Sequence, residues 1–123
     1  MGLDNYASRS PDDITLTPED ERVFAEAGME LCGGMFSGEE SSFRGKVYLM
    51  LVLEVTDEFL SEEWLPPKTV AAMAAKLAAC DYDTLCERYD LDERHVPGRG
   101  EFRDLQMFFR ICAERGLGLI GWA

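Results

Sequence analysis

Residues Gly33 to Lys46, GGMFSGEESSFRGK, combine the side chains of this sequence best suited to holding a ligand. Glycine backbone lets a ligand approach closely, serine hydroxyls donate and accept, and Arg44 and Lys46 set two positive charges beside an expected helix start. Such a grouping suits an anion, because unpaired N–H groups at a helix N-terminus and the helix dipole both favour negative charge. Gly33, Gly34, Ser41, Ser42, Arg44 and Lys46 are therefore the candidate ligand-binding residues, for a small anionic or phosphorylated molecule. The spacing of glycine, lysine and hydroxyl is not that of a P-loop. Glu39 and Glu40 would oppose an anion if they turned inward. The simpler reading of the same residues is a surface loop closed by an ion pair between Arg44 and a carboxylate.

Elsewhere the residues that carry chemistry are sparse. Cys32, Cys80, Cys86 and Cys112 contain no pair with the two-residue gap of a zinc knuckle or thioredoxin-type motif. Three of them fall at apolar positions of expected helices, where free cysteine behaves as a small hydrophobe. Reduced core thiols in a reducing compartment are expected, rather than disulfides or metal ligands. His95, the single histidine, lies in the polar stretch DERHVPGRG. It cannot build a histidine metal site alone, and a solvated loop residue is a simpler reading than a general base. Carboxylates are too plentiful to single out a catalytic pair. Glu62, Glu63, Asp81 and Asp83 read as solvated faces and caps, and DYDTLCERYDLDE lacks the central glycine of an EF-hand loop. Trp64, Trp122 and Tyr6 could line a groove, although aromatics at apolar positions more often fill a core. No catalytic residue, metal site or cofactor is assigned.

The elements that must position these residues form one domain over residues 1–123. With 46% apolar residues the chain can build a proper core, which argues against disorder despite its charge. Twelve basic residues stand against 24 acidic ones, a net charge of −12. A nucleic-acid binder is not expected, because phosphate contacts need a positive face. No apolar run is long enough to span a bilayer, and the opening MGLDNYASRSPDD lacks the basic start and apolar middle of a signal peptide. A cytoplasmic location is expected. The acidity is compatible with life in high salt, with a GC-rich genome or with a basic partner, and net charge does not choose among them.

Thr17-Pro18 with three following carboxylates marks a helix start, and Gly28 a stop. Residues 1–16 read as irregular or briefly extended. Val47 to Val55, apolar except for Glu54, forms the centre of the core; helix is preferred, with Ser42 as N-cap, and a buried strand is the alternative. Residues 56–67 read as a short helical turn ended by Pro66-Pro67. Pro67 opens the clearest helix, with Val70, Met73, Ala74, Leu77 and Cys80 on one face. A short helix is expected over 81–89, a loop over 90–100, and a last helix from near Glu101. That helix buries Phe102, Leu105, Phe109 and Cys112, turns Arg103, Arg110, Glu114 and Arg115 to water, and stops at Gly116. Leu117 to Trp122 reads as extended and free to pair with Leu3 to Ala7.

MGLDNYASR at 1–9, LCGGMFSG at 31–38, SSFRGKVY at 41–48 and CAERGLGLIGW at 112–122 resemble blocks of a family of small uncharacterised bacterial proteins. They cover about 36 of the 123 residues, end to end, so the resemblance implies one shared domain; it supplies no activity, cofactor or catalytic residues. The expected fold is mainly α, with four to five helices around a central apolar segment and a small two-stranded β patch from the chain ends. The expected function is that of a small acidic, non-enzymatic binding or regulatory protein that meets a basic protein partner. The alternative is a protein or enzyme that binds an anionic ligand through the Gly33–Lys46 loop.

Overall fold

The computed structural model describes residues 3–31, 41–88 and 97–122. Their order is β1 (Asp4–Ser8), α1 (Pro18–Ala27), β2 (Ser42–Arg44), α2 (Gly45–Thr56), β3 (Trp64–Leu65), α3 (Pro67–Ala79), α4 (Tyr82–Arg88), α5 (Arg99–Arg115) and β4 (Gly118–Trp122). The helical content matches expectation. The sheet is larger than the expected two-stranded patch: four strands pair antiparallel in the order β2-β1-β4-β3.

The two chain ends do pair, with Asp4 opposite Trp122 and Ser8 opposite Gly118. Two further strands come from segments read otherwise in the sequence. Ser42 lies in β2 and does not cap α2; Arg44 takes the N-cap position. The reason is Phe43, which is 1% exposed and packs edge-on against Tyr48 and Phe108 at 5.7 and 4.9 Å. Seating this ring in the aromatic cluster keeps Ser42–Arg44 extended in the sheet beside β1, where Phe43 lies opposite Asn5. Residues 57–65 are likewise not helical. Asp57 adopts a left-handed conformation (φ 63°) that ends α2, and Trp64–Leu65 joins the sheet edge opposite Ile120 and Leu119.

Val47 to Val55 is helix, within α2, and buries Tyr48, Leu51 and Val52. α5 begins at Arg99, two residues before the expected start. It packs chiefly against α3, then α1, and buries Phe108 together with the expected stripe. Gly116 ends α5 at φ 67°, the left-handed position where glycine carries no side-chain penalty.

Arg115 is only partly exposed and turns its guanidinium to Asp20 instead of leaving it free in water. Its Nε donates to Oδ1 of Asp20 at 2.6 Å. Arg9 donates from Nε to Oδ2 at 2.7 Å and from Nη2 to Oδ1 at 2.8 Å. The Asp20 side chain is completely buried, and its Oδ2 also accepts from the Thr17 backbone N–H at 2.9 Å. Thr17 Oγ1 accepts in return from the Asp20 N–H, closing a capping box.

Bonding to Arg9, then to the Thr17 backbone and Arg115, holds the Asp20 carboxyl well below the usual carboxylate range, against the opposing effect of its burial. A lowered native pKa contributes stability that is present above the unfolded value of about 4 and is lost as pH falls toward the native one. Asp20→Asn is expected to cost about 3 kcal/mol at neutral pH, since it leaves two arginines facing a neutral amide. Urea unfolding followed from pH 7 downward should show the wild-type and variant stabilities converging below about pH 4.

Candidate functional site

The anion-site candidates fall at the β2–α2 junction. Ser41 and Ser42 are buried, and the Ser41 carbonyl accepts from the Ala7 N–H at 2.9 Å. Arg44 lies across the sheet from Asp4, its Nε 3.1 Å from Oδ1 and off the direction of a well-formed hydrogen bond. This is an ion pair of the kind the simpler reading of the loop requires. Lys46 is exposed in the first turn of α2, and its backbone N–H is engaged by the Leu3 carbonyl at 3.3 Å. That first turn has no side-chain cap. Gly45 must be glycine here, since a Cβ would overlap Oδ1 of the buried Asn5. Gly33 and Gly34 lie outside the described residues, as do Cys32 and His95.

A second surface, not singled out from the sequence, is the loop from Asp57 to Glu63, DEFLSEE. Its backbone is tied down along its length. The Asp57 N–H donates to Leu53 O at 2.8 Å, Asn5 Nδ2 to Leu60 O at 2.9 Å, and the Gly121 N–H to Glu63 O at 3.2 Å. Leu60 is fully buried, and a Cβ at Gly121 would collide with the carbonyls of Leu60 and Glu62, so β4 lies directly on the loop. With Leu60 committed to the core, the adjacent Phe59 points out and is 49% exposed. Asp57, Glu62 and Glu63 around it are exposed and Glu58 is half-buried. One signal was present in the sequence: two adjacent apolar residues within an acidic run cannot both face the core of a turn.

Tyr6, Trp64 and Trp122 share the outer face of the sheet. Tyr6 lies opposite Ile120, which lies opposite Trp64, and Trp122 is two residues along the same strand. The Tyr6 and Trp122 rings meet edge-on at 6.3 Å, and Trp122 is 63% exposed. Trp64 covers Gly118, where a Cβ would come within 2.5 Å of the indole. These three aromatics are not part of the core behind the sheet.

An open groove of about 530 Å³ lies between α3 and α5. Alanines, four of them from α3, make up half of its lining, and Arg103, Gln106, Met107, Arg110 and Glu114 of α5 the other half. Among the described residues no group of three His, Cys, Asp or Glu side chains is placed to hold a metal ion, and no helix is long and apolar enough to cross a membrane. Comparison with protein-family models, curated proteins and solved structures finds no match.

Burial separates the described cysteines. Cys112 is completely enclosed, and that desolvation, with the nearby Asp20 charge, pushes its thiol pKa far up. Cys80 and Cys86 are partly exposed. Iodoacetamide followed by peptide mass mapping should label Cys80 and Cys86 in the native protein and Cys112 only after unfolding. Native labelling of Cys112 would contradict the packing of α5.

Proposed function

We propose that this chain is a small acidic, non-enzymatic binding or regulatory protein of the cytoplasm, and that it meets a basic protein partner through the loop from Asp57 to Glu63. The observation that carries the reading is Phe59: a half-exposed aromatic ring among carboxylates, on a backbone anchored to the sheet. Aromatic side chains commonly anchor interfaces, and surrounding carboxylates steer a cationic partner toward them. A preformed loop lowers the ordering cost of association. Several arginines already face carboxylates of the same chain: Arg22 on Glu19, Arg44 on Asp4, Arg99 on Asp83 and Arg110 on Glu114. The acidic surplus is thus left for a partner.

A lysine-rich amphipathic peptide, titrated by fluorescence anisotropy, tests this reading. Binding should weaken with added salt. Phe59→Ala should weaken it by about tenfold at every salt concentration, as truncation of an interface anchor does. Joint Glu62→Lys and Glu63→Lys substitution should weaken binding and flatten the salt dependence. Equal affinities for wild type and Phe59→Ala would reduce the interaction to undirected charge and remove the proposal.

The second reading is an anionic ligand at Ser41, Ser42, Arg44 and Lys46, with Gly33 and Gly34. The uncapped first turn of α2 favours it. It expects phosphate, nucleotides or sugar phosphates to raise the melting temperature by several degrees, since ligand at ~100 times Kd adds about 2.7 kcal/mol. The rise should vanish in Arg44→Ala. An unchanged melting temperature in wild type across that panel eliminates this reading.

A further inference from the structure

The face formed by α3 and α5 differs from the rest of this acidic protein. Not one of the 13 residues of α3 is acidic, whereas the chain as a whole has 24 acidic residues. Ala71, Ala75 and Ala78 stand exposed along this helix, one face of the 530 Å³ groove. Alanine leaves little side chain to hold a neighbouring helix at a distance.

α5 supplies the other side of the groove, and its exposed row has an order of its own. Arg103, Met107, Arg110 and Glu114 are all exposed and recur at spacings of four, three and four, a straight seam along a helix. Met107 is the large apolar side chain of the row and is 37% exposed. The sequence of characters is cation, apolar, cation, anion. When such a row meets an identical row running antiparallel, centred between Met107 and Arg110, Arg103 comes opposite Glu114 of the partner subunit. Met107 comes opposite the aliphatic stem of Arg110 of the partner subunit. The two-fold axis repeats both contacts, which is the self-complementarity that an isologous interface requires.

We propose that the α3–α5 face is the interface of a two-fold homodimer, with the α5 seams antiparallel across the axis. Charge selects the occupant. Two copies of a chain with net charge −12 repel one another over most of their surfaces. They approach with least repulsion where carboxylates are fewest, and there the seam offers two symmetric Arg103–Glu114 pairs. Glu114 already accepts from Arg110 of its own helix at 2.7 Å, which holds its carboxylate on the seam. The alanines of α3 form the shallow hole beside each Met107. This interface uses none of the residues of the Asp57–Glu63 loop and stands independently of the function proposed above.

Sedimentation equilibrium of the full chain, over a wide concentration range, should show a reversible transition from 13.8 kDa to twice that mass. Ala75→Glu, at an exposed helix position, should abolish the dimer while far-UV circular dichroism and melting temperature show an intact fold. Arg103→Glu and Glu114→Arg should each weaken dimerisation about tenfold, two symmetric pairs being lost together. The double variant should dimerise more tightly than either single one, and Phe59→Ala should leave the dimer unchanged. A monomer at every concentration overturns the proposal. A dimer indifferent to Ala75→Glu overturns the choice of face, and a double variant no tighter than the singles overturns the antiparallel register.

Discussion

Asp20 joins three parts of the chain, the last of them far away in sequence. Arg9 follows β1, Thr17 opens α1, and Arg115 closes α5, and all three donate to one buried carboxylate. A charge removed from water costs several kcal/mol unless its lone pairs are filled, and these bonds fill both oxygens. The network therefore tolerates little displacement. It sets the angle at which α1 leaves the sheet and the point at which the chain turns from α5 into β4. The sheet order depends on that turn, because β4 lies between β1 and β3.

Local chemistry was readable wherever one residue type has one strong preference. The Thr17-Pro18 start, the Gly28 and Gly116 stops and the apolar stripes of α3 and α5 follow from capping and from helical periodicity. Pairing of the chain ends was legible because both segments read as extended and neither suits a helix. Misreadings arose where a tertiary contact decides. Ser42 is a good N-cap by type, yet Phe43 has a place in the aromatic cluster and draws its neighbours into a strand. Arg115 reads as a surface cation beside a helix C-terminus, and its carboxylate partner lies 95 residues earlier. No local pattern could place the two together.

The candidate sites divide along the same line. Arg44 and Lys46 were identifiable by charge, whereas the pairing of Arg44 with Asp4 needs the β1–β2 register. Phe59 becomes a surface residue only because Leu60 is anchored through Asn5. The α3–α5 face was half-visible, since the alanines and the lack of acidic residues in α3 stand in the sequence itself. Which helix would lie beside it, and in what order its charges would stand, required the fold.

The two interior strands of the sheet are the first and last in the chain, while its edges, β2 and β3, come from between them. No strand can therefore pair with a neighbour across a tight hairpin at its centre; β1 must wait for residues 118–122. On the ribosome α1, α2 and α3 are made before β4, so the edge of β1 that pairs with β4 has no partner until residues 118–122 follow. Closing so long a loop carries an entropic cost before any contact offsets it, and such topologies fold slowly. The acidic surface then acquires a kinetic role: like charges keep those unfinished chains apart until the last strand arrives and seals the sheet.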